Sequence, residues 1–215
     1  MEDEATKEQR GPSPAVAAFP IVGIGASAGG IDALQQFFPA VPADCGMAFV
    51  VVQHLDPDHK SVLAEVLARS SALPVTKIEH EMAVEAGHVY VIPPSAELTI
   101  RGGRLQLAEP TAPRGHRCPI DDFFTSLAED QAENAACVIL SGTGSDGTVG
   151  LRAIKENGGL TFAQAEAEYD GMMRSAVATG LVDFVLRAEE VPARLHDYFG
   201  NRTSYQSSKV KIDGQ

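Results

Sequence analysis

The sequence predicts an α/β fold: a doubly wound, mainly parallel sheet with helices on both faces (a Rossmann-like three-layer sandwich), plus one β-hairpin insertion. Two observations support this fold class. Segments with a strand pattern alternate with segments of helical periodicity over most of the chain. The run at 47–52 is continuously apolar, as expected for a parallel strand that is covered on both faces.

Two strand–turn–helix units open the globular part of the chain. An apolar strand at 20–24 leads through small residues into a helix from Gly30 to about Phe38. Its predicted buried face consists of Ile31, Leu34, Phe37 and Phe38. The strand at 47–52 is followed by a helix that starts near Asp58, a good N-cap residue. The apolar face of this second helix carries Val62, Leu63, Val66 and Leu67.

The middle of the chain predicts the hairpin insertion. Short strands at 74–78 and 88–92 precede strands at 97–100 and 104–107, and Gly102-Gly103 is typical of a two-residue hairpin turn. After the insertion the alternation resumes, with Pro119 as the first residue of a helix that ends near Glu133. The remaining elements are strands at 137–140, 160–163 and 182–186, and helices at 149–157, 174–179 and 189–199.

The two ends of the chain differ in composition from this globular part. Residues 1–18 are charged and then rich in Pro, Ala and Ser, which predicts a disordered N-terminal lead-in. Residues 200–215 are polar, which predicts a C-terminal tail or linker. One domain, at 19–199, is therefore expected between them.

Charge and composition exclude several classes of protein. The 215 residues carry a formal net charge of −12, which disfavours nucleic acid as a partner because nucleic-acid binders need a basic surface. No apolar run approaches the roughly 20 residues of a membrane span, so no membrane insertion is expected. The acidic N-terminus lacks the apolar segment of a secretory signal. Cys45, Cys118 and Cys137 form no C-x-x-C pair, so we expect reduced, buried thiols in a cytoplasmic protein and no metal site.

Three strand ends carry residue types that could form a hydrolytic site. Ser27 follows the first strand in the run GASAGG, His54 follows the second strand, and Asp146 lies in the glycine-rich loop after the strand at 137–140. Ligands of open parallel sheets bind beyond the carboxyl ends of the strands. A hydroxyl nucleophile, an imidazole that titrates near neutrality and a carboxylate that orients it are the groups of a serine-hydrolase triad. The sequence therefore predicts Ser27, His54 and Asp146 as catalytic residues.

Each of these residues also has a purely structural interpretation. The Ser27 turn could bind a phosphate or be a plain turn, His54 could be an ordinary strand-end histidine, and Asp146 could cap the following helix. Their coincidence on one sheet edge favours the triad. The order Ser, His, Asp along the chain excludes an α/β-hydrolase, in which the acid precedes the histidine.

A dinucleotide-binding domain is the weaker alternative. Gly23-x-Gly25-x-x-Ala28 matches a dinucleotide fingerprint, which also expects an acidic residue at the end of the second strand. The chain has Gln53 and His54 there, so no cofactor is expected.

Six motifs resemble the catalytic domain of the CheB-type chemotaxis protein-glutamate methylesterases. They are GIGASAGG at 23–30, VVVQH at 50–54, GHVYVIPP at 87–94, HRCPIDDFF at 116–124, VILSGTGSDG at 138–147 and GMMRSA at 171–176, spanning about 20–199. The resemblance implies an α/β sandwich that hydrolyses glutamate γ-methyl esters on chemoreceptors, with deamidation of receptor glutamines in some members. It places the nucleophile, base and orienting acid on Ser27, His54 and Asp146.

The resemblance also implies binding residues and partners. Backbone N–H groups of Ala28 and Thr143 are the candidates for an oxyanion hole. A glutamate-rich receptor helix needs a locally basic rim on an acidic enzyme, which the loop cations could supply unless they are ordinary surface charges. The expected substrate-binding residues are Arg114, His116, Arg117 and Met172. The expected partners are methylated cytoplasmic helices of chemoreceptors and a methyltransferase or histidine-kinase module, because the motifs resemble the subgroup of methylesterase–methyltransferase fusion proteins.

Three features depart from the family pattern. Ala28 replaces the threonine that commonly follows the nucleophile, and Met173 replaces the usual proline. Only about 18 residues precede the first predicted strand, so the receiver domain typical of the family is not expected in this chain. A catalytically idle domain that docks to receptors or to a signalling partner stays open as an alternative function.

Overall fold

The computed structural model describes residues 17, 19–53, 62–113 and 116–212, with side chains up to residue 201. Its main sheet has seven parallel strands in the order β10-β9-β8-β1-β2-β5-β3. The strands are β1 (Ile21–Ala26), β2 (Ala48–Gln53), β3 (Val75–Lys77), β5 (Val89–Val91), β8 (Ala135–Ile139), β9 (Leu160–Gln164) and β10 (Phe184–Leu186). The predicted doubly wound parallel sheet is confirmed.

Helices cover both faces of this sheet. They are α1 (Gly30–Phe37), α2 (Leu63–Ser70), α3 (Pro119–Gln131), α4 (Thr148–Glu156), α5 (Gly171–Ala178) and α6 (Val191–Ile212). One face packs against α1, α2 and α6 through buried side chains such as Phe37, Leu67 and Leu195. The other face packs against α3, α4 and α5 through residues such as Phe123 and Leu151. The result is the three-layer arrangement that the sequence predicts.

The hairpin insertion forms a second, antiparallel sheet. Strands β6 (Glu97–Arg101) and β7 (Arg104–Ala108) pair across the turn at Gly102 and Gly103, and both glycines have positive φ, at 58° and 71°. The side chain of Asp130, on α3, accepts the Gly103 N–H at 3.0 Å. A third strand that the sequence pattern did not show, β4 (Met82–Ala83), pairs with β7.

Strand β1 lies between β8 and β2, and each of these neighbours is joined to it in parallel register. The chain places β2, β3 and β5 on one side of β1 and later β8, β9 and β10 on the other side. The carboxyl ends of β1 and β8 therefore flank the switch point where such sheets bind ligands. The loops that carry Ser27 and Asp146 follow these two strands.

Glycines in β1 allow α3 to pack closely on the sheet. A Cβ atom on Gly23 would lie 2.8 Å from a ring carbon of Phe124, and one on Gly25 would lie 2.5 Å from a methyl group of Ile120. These contacts account for the glycines without a pyrophosphate. The dinucleotide interpretation of the same motif therefore loses its main support.

Several local predictions are wrong. Ile31 is 36% exposed because α1 buries a narrower stripe than the apolar pattern suggests, and Val62 is 55% exposed because it precedes α2 as its N-cap residue. Cys118 is exposed, whereas Cys45 and Cys137 are buried as expected. The last helix continues to Ile212 instead of ending at 199, since a glycine inside a helix lowers its stability without ending it. Asp58, the predicted N-cap, lies outside the described residues.

Among the described residues, no helix has the length and apolar character needed to cross a membrane.

Candidate active site

Ser27 lies on the turn between β1 and α1. Its backbone N–H donates to the carbonyl oxygen of Ser141 at 2.9 Å, and its own carbonyl accepts the Gly30 N–H at 2.9 Å. Gly29, at the N-cap of α1, has a φ of 70°, which an L side chain rarely adopts. This turn leaves Ser27 half-buried at the carboxyl edge of the sheet, the position predicted for the nucleophile.

Asp146 is held by the N-terminus of α3 and by its own loop. Its carboxylate accepts the N–H groups of Ile120 at 3.0 Å, Asp121 at 2.9 Å and Gly147 at 2.8 Å. The side chain is only 7% exposed. Because the three donors come from two segments, the carboxylate orientation depends on how α3 and the β8–α4 loop pack together.

The loops of Ser27 and Asp146 are fastened to each other and to α5. The Ser141 hydroxyl donates to the Ala28 carbonyl at 2.8 Å. The Gly142 N–H donates to the Tyr169 carbonyl, and the Gly142 carbonyl accepts the Met172 N–H, both at 2.9 Å. The turn is thus part of a backbone network rather than a free loop.

Gly142 lies close to the candidate nucleophile. A Cβ atom there would lie 2.9 Å from the Ser27 Cβ and 2.2 Å from the Met172 sulfur. Met172 itself is completely buried. Its side chain therefore packs against Gly142 beside the Ser27 turn and is covered in this arrangement, and the substrate contact expected from the sequence stays a prediction.

Two backbone N–H groups near Ser27 are available to a ligand. Within the described part of the chain, neither the Ala28 N–H nor the Thr143 N–H donates to a protein acceptor. Both follow residues whose backbone is anchored, Ser27 and Gly142. These are the two groups that the sequence analysis selects for an oxyanion hole.

The electrostatics of the site centre on a pair of carboxylates. Burial, together with the negative charge of Asp146, raises the pKa of Asp121 to about 6, against the hydrogen bonds it accepts. Burial and then Asp146 also raise the pKa of the Cys118 thiol. Ligand atoms of these three residues lie within 4.8 Å of one another. The carboxylates already accept backbone N–H groups, so we do not assign them to a metal.

A cavity of about 540 Å³ adjoins this cluster, between α3 and the hairpin sheet. Arg117 and His116 line it, and the Arg117 Nε donates to the Ala112 carbonyl at 2.8 Å. Its wall also carries three carboxylates, those of Glu97, Asp122 and Glu129. The lining is therefore mixed in charge, and the locally basic rim expected from the sequence stays a prediction.

Two predicted site residues, His54 and Arg114, lie outside the described residues. Gln53, directly before His54 in the chain, is the last residue of β2, and its side-chain amide donates to the Ser27 carbonyl at 3.4 Å. The structure therefore brings together the strand ends that precede Ser27, His54 and Asp146.

Asp121 and Ser141 are site residues that the sequence analysis did not single out. An aspartate in the first turn of a helix is common, since it complements the helix dipole, so its spacing carries no signal of contact with Asp146. The position of Ser141 directly after the strand that precedes Asp146 is the only hint in the sequence.

Together, the fold and the site define a doubly wound α/β domain that carries a serine, Ser27, and a buried aspartate, Asp146, in the turns that follow two adjacent strands of its sheet. The profile of the CheB methylesterase family matches residues 22–195. The catalytic domain of Thermotoga maritima CheB methylesterase superposes with a TM-score of 0.77 at 30% identity, covering 85% of this chain and 100% of that one. The chain belongs to the CheB methylesterase family, which confirms the resemblance seen in the six motifs.

Sequence relatives agree with this assignment. The chain is 37% identical over 194 residues to protein-glutamate methylesterase/protein-glutamine glutaminase 2 of Anaeromyxobacter dehalogenans and 36% identical over 195 residues to protein-glutamate methylesterase FrzG of Myxococcus xanthus. Each match covers 89% of this chain and 57% of the relative. It is also 44% identical over 142 residues to an uncharacterized 104.1 kDa protein of Rhodobacter capsulatus, covering 65% of this chain and 15% of that protein. The chain thus spans little more than half the length of the named methylesterases.

Proposed function

We propose that this domain is a serine hydrolase that removes methyl esters from glutamate side chains of chemoreceptors in a chemotaxis-type signalling system. Ser27 is the nucleophile, His54 the general base and Asp146 the residue that orients the imidazole. One observation carries the proposal. On the fold of a CheB catalytic domain, the Ser27 turn and the Asp146 loop follow adjacent strands and are joined through Ser27 N–H and Ser141 C=O.

The reaction starts when His54 accepts the proton of the Ser27 hydroxyl and Oγ attacks the γ-carbonyl carbon of the methylated glutamate. The negative charge then moves to the carbonyl oxygen, where the N–H groups of Ala28 and Thr143 receive it. Loss of one such donor typically lowers kcat by about 10²–10³. Neither group has a competing acceptor among the described residues, which favours this role.

Collapse of the tetrahedral intermediate releases methanol. His54 gives its proton to the methoxy oxygen, the carbon–oxygen bond breaks and an ester between Ser27 and the glutamate side chain remains. A water molecule, deprotonated by His54, then attacks this ester, and the proton returns to Ser27 as the glutamate leaves. Deamidation of a receptor glutamine follows the same steps with ammonia as the leaving group, in line with the double name of one relative.

Asp146 stabilises the imidazolium of His54 and fixes its tautomer. Three backbone N–H donors hold its carboxylate, which limits rotation of the side chain. Such fixed orientation makes a carboxylate effective in this role, because no reorganisation is needed during proton transfer.

The expected substrates are methylated helices in the cytoplasmic part of receptors, and a methyltransferase or histidine-kinase module is the further expected partner. His116 and Arg117, in the cavity next to Asp146, are candidates to contact acidic residues that flank the ester, together with Arg114. The carboxylates in the same cavity would repel acidic residues of the receptor helix, so the helix could bind only in orientations that bring its acidic residues to the cations.

Reaction with a fluorophosphonate serine probe tests the nucleophile. Mass spectrometry of the labelled protein is expected to place the adduct on Ser27, and Ser27→Ala is expected to abolish labelling. Ser141 and Ser145 are internal controls, because both lie in the neighbouring glycine-rich loop. An adduct on either of them, with Ser27 unmodified, would contradict the assignment.

A further inference from the structure

Asp121 and Asp146 are joined across the beginnings of α3 and α4. The Asp121 N–H donates to the Asp146 carboxylate at 2.9 Å. In the other direction, the Asp121 carboxylate accepts the Gly150 N–H, in the first turn of α4, at 2.8 Å. Asp146, which precedes α4, thus accepts an N–H from α3. Asp121, which lies in the first turn of α3, accepts an N–H from α4.

The two helices pack too closely for this arrangement to adjust. A Cβ atom on Gly150 would lie 2.4 Å from the Phe124 Cβ and 2.9 Å from the Asp121 carbonyl oxygen. The first turn of α4 is therefore in backbone contact with α3. Because Asp146 lies directly before α4, a shift of α4 against α3 would move its carboxylate.

Asp121 also acts on Asp146 through charge. Among the described residues, the titratable groups that face Asp121 are Asp146 from the β8–α4 loop and Cys118 from its own helix start. The α4 positions against it are Val149 and Gly150, which carry no charge. Among the interactions that shift the pKa of Asp121, the charged neighbour is the Asp146 carboxylate.

We propose, on the basis of the triad proposed above, that Asp121 is a positioning residue that holds Asp146 and, through its own negative charge, raises the pKa of the His54 imidazole. A negative charge near the Asp146–His54 pair stabilises the imidazolium. Asp121 touches neither the substrate nor Ser27 in this scheme. It acts through Asp146.

The charge of Asp121 changes within the pH range in which the base titrates. The pKa of Asp121 is raised to about 6 by burial and by Asp146. Two coupled groups of this kind titrate as a pair rather than singly. The His54 titration in the unmodified protein is therefore expected to be broader than that of a single site.

NMR titration of the histidine ring signals in the full chain tests the proposal without requiring esterase activity. The chain has six histidines, and a His54→Gln variant assigns the His54 signal. Asp121→Asn keeps an oxygen that can accept the Gly150 N–H but removes the charge. It is expected to lower the His54 pKa by a few tenths of a unit to about one unit, the range expected when one screened negative charge is removed.

Two variants complete the test. Asp130→Asn is the matched control: Asp130 is a buried aspartate near the other end of α3 whose carboxylate accepts the Gly103 N–H at 3.0 Å. It is expected to leave the His54 titration unchanged. Asp146→Asn is expected to lower the His54 pKa more than Asp121→Asn does, because Asp146 is the direct partner.

The outcomes separate this inference from the proposed function. A shift for Asp146→Asn and Asp121→Asn, with none for Asp130→Asn, supports it. If Asp146→Asn alone moves the His54 pKa, the triad stands and the role of Asp121 is overturned. If Asp146→Asn has no effect, the triad itself fails and this inference fails with it. If Asp121→Asn does not fold, the unmodified protein still tests the proposal. A His54 titration curve as narrow as that of a single isolated site would overturn the proposed coupling between Asp121 and His54.

Discussion

The backbone N–H of Ser27 donates to the carbonyl oxygen of Ser141 at 2.9 Å, which ties the turn of the candidate nucleophile to the loop that presents Asp146. The Ser141 hydroxyl adds a second link by donating to the Ala28 carbonyl at 2.8 Å. Two strands that are neighbours in the sheet thus continue into turns that are fastened to each other. A change in the β8–α4 loop should therefore be felt at Ser27.

Gly142→Ala tests this connection. The added methyl group would meet the Met172 sulfur and the Ser27 Cβ, so we expect the Ser27 turn to be displaced. A displacement of about 1 Å in a catalytic group can lower the rate by about 10². Hydrolysis of a small activated ester measures the loss. Gly200→Ala is the control, since nothing lies within 4 Å of the added atom. If Gly142→Ala were as active as Gly200→Ala, the packing argument would be contradicted.

Asp146→Asn is expected to slow turnover by about 10⁴, by analogy with triads in which the amide favours the wrong histidine tautomer. Asp130→Asn is a matched control. Asp130 is also buried, at 4% exposure, and accepts a backbone N–H, from Gly103, away from Ser27. Both variants should lose stability of about 1–3 kcal/mol, since an amide replaces a hydrogen-bonded carboxylate. Only Asp146→Asn should lose activity, and equal losses in both would assign the effect to folding.

The stability of the domain should depend on pH through Asp121. Its pKa in the folded state, about 6, lies above the usual value of an aspartate. The folded state therefore holds this proton more tightly, and its contribution to the free energy of unfolding falls as pH rises from about 4 to about 6. Asp121→Asn removes this effect, so its free energy of unfolding relative to the unmodified protein should be higher at pH 7.5 than at pH 4.5.

Urea unfolding at the two pH values checks this dependence. Asp44→Asn, which changes an exposed aspartate, is the control for a substitution that removes one charge. If Asp121→Asn and the unmodified protein differ in free energy of unfolding by the same amount at both pH values, Asp121 is not protonated preferentially in the folded state.

Arg117→Glu tests whether the cavity next to Asp146 recognises acidic substrate. We expect a several-fold higher KM for a methylated, glutamate-rich helix and little change with a small neutral ester, because the contact is remote from the reacting atoms. The effect should shrink with added salt, since exposed charges are screened over about 8–10 Å at physiological ionic strength. Arg104→Glu, on the hairpin sheet, is the control. Equal losses toward both substrates would mean that Arg117 supports the loop at Ala112 instead.

The sequence predicted the fold class and the strand ends of the candidate site because both follow from hydrophobic periodicity. Apolar runs placed β1, β2 and β8, and parallel strands bring the residues after them to one edge. It could not predict the two-residue strand β4, which is too short to show alternation. Nor could it predict that Met172 is buried and that Ile31 is 36% exposed, because both depend on which neighbours cover a helix.

The contact between Asp121 and Asp146 shows a second limit. The residues are far apart in the chain, and each suits a helix start by itself. Their proximity comes from the close packing of α3 on α4, which Gly150 permits. A glycine within an amphipathic helix is the one sequence feature consistent with such an approach, and it does not identify the partner.

Release of methanol from a receptor helix that carries glutamate γ-methyl esters tests the central claim most directly. The unmodified domain is expected to release methanol stoichiometrically with the appearance of free glutamate side chains, and Ser27→Ala is expected to release none while keeping the Tm of the unmodified protein. Methanol release by Ser27→Ala at the rate of the unmodified domain would contradict the account. So would a folded, unmodified domain whose Ser27 reacts with the serine probe but which releases no methanol.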